Sequence, residues 1–288
     1  MSFVLDGKRP PGKRAAKLLL HELDAALAAL AAGPTDAVVH DLRRRGKRSR
    51  ALLHLVGAGL PAHARLVACW RLVGQAAAGL RDIAAMEATV ADLLHAAPPL
   101  AAVEGAGVAG HLAAYRVQAR RTLHGRLGGL AVALTSARAR VAEWRPAFSW
   151  SVALEGLVDG YRRSHRAARA AWRHPDADAR HTWRKRAKAH ALQVRLLAPL
   201  WPGMMSAWRS QWDELAQRLG DEHDLHVLTT FLAALPQPRG ATGLMGMAEH
   251  RAASMRCATD ELGRRLHAES AAGLERRVRV YARCGALS

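Results

Sequence analysis

Gly and Pro interrupt this sequence at intervals of about 15 to 30 residues, and between them apolar side chains recur at three- and four-residue spacing. The interruptions fall at Gly33-Pro34, Gly57 to Pro61, Pro98-Pro99, Gly128-Gly129, Arg145-Pro146, Pro175, Pro202, Gly220 and Pro236 to Gly240. Segments such as Leu18 to Leu30 and Ala187 to Leu200 carry the spacing that makes one face of an α-helix apolar. No alternating pattern of strand type stands out. Half of the residues are hydrophobic but only 5% are aromatic. Ala and Leu dominate the apolar set, and both lose little on entering a helix. The expectation is an all-α chain of about ten to twelve helices.

Charge narrows the partners. Lys and Arg number 43 against 24 Asp and Glu, a formal +19, and only six of those cations are Lys. Such an excess resists compaction unless an anion is met: nucleic acid, an anionic membrane surface or a phosphate polymer. Arginine suits phosphate because its planar fork donates two parallel hydrogen bonds. Cys69, Cys257 and Cys284 are scattered and form no CxxC. Neither a disulfide framework nor a zinc ribbon is expected, and a reducing compartment fits better. Met1 to Pro11 lacks an apolar h-region and no apolar run of about 18 residues follows, so no membrane insertion and a cytoplasmic location are expected.

The sequence also repeats itself in register. His40-x-x-Arg43-x-x-x-Lys47 recurs as His181-x-x-Arg184-x-x-x-Lys188, 141 residues later. Downstream, Trp70, Gln75 and Asp82 match Trp212, Gln217 and Asp224, each 142 residues on. Two motifs in one order at nearly constant offset imply two related helical halves, about 1–145 and about 150–288. Each half is expected to bury its own apolar stripes and pack on the other.

On a helix at 100° per residue, His40, Arg43, Arg44, Lys47, Arg50 and His54 fall within roughly 120°. Val38, Val39, Leu42, Gly46, Leu53 and Val56 gather opposite. His181, Arg184, Lys185, Lys188 and Arg195 form a second such face, opposed by Trp183, Ala187, Val194 and Leu197. Like charges one turn apart cost a few tenths of a kcal/mol per pair, and solvated helices avoid this by interleaving Glu. The alternative is a merely solvated basic face, which the duplication disfavours. Flanking cations are weaker candidates: Lys13, Lys17 and His21 before the first stripe, and Arg162, Arg166, Arg169 and Arg173 before the second.

These residues resemble the CHAD family, the conserved-histidine α-helical domains. The resemblance rests on Val39-His40-Asp41-Leu42-Arg43 through Arg50, Leu80-Arg81-Asp82-Ile83, Tyr161-Arg162-Arg163, His181 through Lys188, and Leu219-Gly220-Asp221 through Asp224-Leu225. It spans the chain from about Phe3 to the end as one domain. It implies two four-helix-bundle halves related by a pseudo-twofold, whose basic faces converge on a central pore or groove that binds inorganic polyphosphate. It implies neither catalysis nor a cofactor, and polyphosphate granules as a place of residence. The second stripe departs from the family pattern: Ala191 and Leu192 stand where an Arg-Tyr pair is usual.

Other readings stay open. His223 and His226, one helical turn apart, hint at a metal site but lack a third ligand of good spacing. Asp82 and Asp224 suit a helix cap or a stripe arginine better than a metal. Gly105, Gly107 and Gly110 follow no predicted strand, and no phosphate loop ending in Lys-Ser/Thr occurs. Nucleic acid remains a weaker electrostatic competitor, since no helix-turn-helix, zinc finger or RNA-binding aromatic signature is present. An enzyme using His40 or His181 as acid or base on phosphorylated substrates would want paired carboxylates for Mg²⁺, and none convince.

Overall fold

The computed structural model describes residues 2–6, 10–57, 60, 62–97, 104–146, 148–236 and 241–284. Among these residues the chain forms eleven α-helices and no strand. They are α1 (Pro11–Ala31), α2 (Asp36–Val56), α3 (His63–Ala76), α4 (Ala78–Ala96), α5 (Ala106–His124) and α6 (Leu127–Ala142), then α7 (Trp150–Arg173), α8 (Ala177–Leu196), α9 (Pro202–Ala233), α10 (Thr242–Leu266) and α11 (Ala271–Cys284). No helix among them is long and apolar enough to cross a membrane. Cys69, Cys257 and Cys284 are unpaired.

The two stripe helices both start on a capping side chain. The Thr35 hydroxyl accepts from the Val38 N–H at 3.3 Å, and the Asp176 carboxylate accepts from the Ala179 N–H at 2.8 Å. Pro11 and Pro202 open α1 and α9, where their missing N–H costs nothing. Gly33 ends α1 with φ of 85°, a conformation other residues avoid.

Two expected breaks fall elsewhere. The α5–α6 turn is at Gly125-Arg126, and Gly128-Gly129 lies inside α6. Gly220 sits within the uninterrupted 32-residue α9. A lone glycine costs a helix only about 1 kcal/mol, and here it opens space for a neighbour. A Cβ on Gly220 would stand 3.3 Å from Nε of Arg184. The breaks at Pro98-Pro99 and over residues 237–240 lie outside the described residues.

α2 sits centrally, against α1, α3, α7 and α8. Its approach to α7 is close: a Cβ on Gly156 would lie 1.9 Å from the Leu55 carbonyl oxygen. Packing recurs along the chain: α1 on α2, α2 on α3, α4 on α5 and α1 on α6 correspond to α7 on α8, α8 on α9, α9 on α10 and α7 on α11. Within this scheme α9 matches α3 and α4 together. Trp70 and Trp212 are both fully buried at equivalent places.

The apolar core does not follow the expected division into halves. One cluster joins α1, α2, α3 and α6 to α7, α8, α11 and the first part of α9, with Trp183, Trp212 and Tyr161 inside. A second joins Ile83 and Met86 of α4 and Leu112 of α5 to Leu228 of α9 and Leu244 of α10. The first cluster draws on both halves because α2 packs on α7 and α8, and the second because α4 packs on α9.

Candidate functional site

The cation-bearing faces of α2 and α8 meet. Between them, closed by α4 and α9, lies a cleft of about 500 Å³. His40, Arg43, Arg44 and Lys47 line it from α2, Arg81 from α4, Lys188 and Arg195 from α8, and Arg209 from α9. The apolar residues opposite each stripe are buried as expected: Val39, Leu42, Leu53 and Val56 on one helix, Trp183, Ala187 and Val194 on the other. Amphipathicity thus aims much of the first basic face and the Lys188 to Arg195 end of the second at one space, while Arg184 lies outside its lining beside Asp224.

The electrostatics show how close the groups stand. Lys47 is pushed down to about 8, first by burial among the helices and then by repulsion from Arg43, Arg184, Arg81 and Lys188. Water still reaches its side chain, so the ammonium is hemmed in rather than sealed. Arg43 is likewise lowered by burial and by Arg81 and Arg184, with Asp82 opposing. Its guanidinium donates one long bond, 3.4 Å, to the Gly74 carbonyl. Among the described residues neither Arg43 nor Lys47 has a carboxylate at ion-pair distance.

The other cations are partly neutralised. Arg81 pairs with Asp82 at 3.2 Å and Asp224 at 2.8 Å, and Arg184 reaches Asp224 at 4.0 Å. Both aspartates lie inside helices and cap nothing, so the pairing alternative is the one the structure holds. Lys188 and Arg209 share Asp213 at 2.8 and 3.0 Å. Two further α2 arginines are tied to α1: buried Glu22 holds Arg45 and Arg48, each at 3.1 Å, and Arg48 also lines the cleft.

Not every predicted site residue reaches the cleft. Arg50 and Lys185 are absent from its lining: burial lowers both, helped by Arg71 of α3 for Arg50 and by Arg186, against the pull of Asp178, for Lys185. Lys13 and Lys17 are exposed on α1 and do not line the cleft. Arg162, Arg166 and Arg169 are exposed on α7, Arg162 facing Glu275 of α11 at 3.7 Å. These five stand on exposed faces outside the cleft lining: helical phase is readable along one helix, but which neighbour faces it is not. Conversely, Arg81, Arg195 and Arg209 join the cleft from outside the two motifs. Arg195 shared the second stripe's face, and Arg81 sat within a quoted motif. Arg209 had no signal, since its own helix face mixes charges.

The two repeat histidines differ. His40 is exposed at the cleft, whereas His181 lies in a smaller cavity of about 270 Å³ between α8, α9 and α10. Its ring stacks on His223 at 3.9 Å between centroids, and its Nδ1 is buried without a partner. Burial, then Lys185, Arg184 and Arg81, push His181 down to about 4. His223 thus meets a second imidazole rather than a metal set, and among the described residues no three His, Cys, Asp or Glu converge on a metal position.

A fold of paired basic helices around an unneutralised cation pair has a counterpart among known families. Residues 14–233 match the family described as CHAD domain. The chain belongs to the CHAD family. The match is narrower than the resemblance drawn from Phe3 to the end, and leaves α10 and α11 outside it although both pack into the cores. A search of curated proteins finds no match. Where the CHAD pattern would place an Arg-Tyr pair, Ala191 is buried in the core and Leu192 gives the cleft an apolar wall.

Proposed function

We propose that this CHAD protein binds inorganic polyphosphate in the cleft between α2 and α8. The observation that carries the reading is the cleft lined by Arg43, Lys47, Arg81, Lys188, Arg195 and Arg209 from four helices, in which, among the described residues, Arg43 and Lys47 have no carboxylate at ion-pair distance. Cations held this close gain from a ligand that brings one charge per unit along a thin chain. Inorganic polyphosphate is such a ligand. Nucleic acid fits less well, because the cleft lining holds no Phe, Tyr or Trp on which bases could stack. The recurring motifs and packing support two related halves, 1–145 and 150–288, set about a pseudo-twofold with the cleft as part of a basic central pore. Binding leaves the polymer intact in this reading, with neither metal nor cofactor, in the cytoplasm and on polyphosphate granules.

Titration with long-chain polyphosphate at 50 and 200 mM salt tests it. By the DNA relation, six to ten phosphate contacts lose about 10³ to 10⁵ in affinity over that range. A flat affinity, or tighter binding of DNA in direct competition, overturns the reading. Shortening of the polymer on a gel after incubation overturns its non-catalytic part.

A further inference from the structure

Asp213 occupies an unusual place in the cleft. Its Oδ1 lies 2.8 Å from Nζ of Lys188 on α8, and its Oδ2 lies 3.0 Å from Nε of Arg209 one turn earlier on α9. Each oxygen is committed to a different cation, and the carboxylate itself lines the cleft. The three side chains keep 42%, 41% and 31% of their exposure for Lys188, Arg209 and Asp213, so a ligand can reach them. Any anion lying along α8 and α9 therefore meets a negative group already holding both of its partners.

We propose that Asp213 is a built-in counterion that sets how tightly the cleft holds its polyanion, because the ligand must take Lys188 and Arg209 from it. This rests on the polyanion reading above. One carboxylate spreads a single charge over two cations, whereas consecutive phosphates offer each cation its own. A run of phosphates displaces Asp213 and an isolated anion does not. Arg43 and Lys47 need no displacement, which makes them the first contact and the Asp213 end the selective one.

The test compares Asp213→Asn with Glu214→Gln, using long-chain polyphosphate as the probe. Glu214 makes the same change in net charge but pairs with exposed Arg218, outside the cleft. Asp213→Asn is expected to bind roughly three- to thirtyfold more tightly, the range given by two partly exposed ion pairs. Its slope of log affinity against log salt is expected to steepen by about one to two. Glu214→Gln is expected to stay within about twofold of the wild type. Unchanged or weaker binding by folded Asp213→Asn overturns the proposal, as does an equal gain in Glu214→Gln. In the wild type, the Asp213 carboxyl carbon followed by NMR should shift on saturation while that of Glu214 stays. A still Asp213 signal overturns the proposal even if the variant does not fold. Absence of polyphosphate binding by the wild type would instead sink the reading beneath it.

Discussion

Lys47 is the side chain through which the cleft responds to pH. In the free protein burial and then Arg43, Arg184, Arg81 and Lys188 hold it near 8, below its ordinary 10.5. A bound polyanion opposes that repulsion, so the bound-state pKa is the higher and binding takes up a proton once the free ammonium has lost its own. The affinity is then fully present below about 8 and falls as pH rises toward the bound-state value. Polyphosphate affinity measured from pH 7 to 10 should decline, and Lys47→Arg, whose guanidinium stays charged, should flatten the curve. A wild-type curve already flat would remove Lys47 from the mechanism. His181, held at about 4 behind Lys185, Arg184 and Arg81 and stacked on His223, is placed to brace the helices rather than to titrate with ligand.

At the scale of elements, the cleft depends on how close α7 lets α2 come. Gly156 faces the Leu55 carbonyl with no room for a methyl group, a Cβ there standing 1.9 Å from the oxygen. Gly156→Ala must push α7 off α2 and should cost about 1–3 kcal/mol, the usual range for overpacking. The melting temperature should fall by about 2–4 °C for each kcal/mol. An unchanged melting temperature would mean that the two helices slide apart freely. The stripe helices themselves were legible: their apolar and basic arcs repeat along the chain at fixed spacing. Gly220 was not, since its reason is Arg184 on another helix.

Across the whole molecule, neutral imidazoles are folded into tight places. His54, His181 and His267 are pushed down to about 4 and His190 and His223 to about 3, in every case first by burial. His190 is wholly buried between Tyr161, Trp208 and Trp212. Unfolding frees all five to the ordinary value of 6.5, so between about 6.5 and 4 the unfolded chain binds more protons. Their contribution to stability is complete above 6.5 and is lost as pH falls through that window. Thermal unfolding at low salt should show the midpoint dropping from pH 6.5 to 4, and a level midpoint would contradict it.

The all-α class, the apolar arcs of the stripe helices and the recurrence of a cationic face were legible in the sequence. These follow from periodicity along one helix, a property of neighbours a few residues apart. Only the tertiary structure decided which cations stand together. Arg81, Arg209 and Asp213 enter the cleft because α4 and α9 lie across α2 and α8, while Arg50 and Lys185 of the same stripes stay outside its lining. It also decided that the apolar clusters cross the sequence repeat, since each half contributes helices to both. Helix phase fixes where a side chain points. The crossing of helices, set by packing at contacts such as Gly156 on Leu55, fixes what it meets.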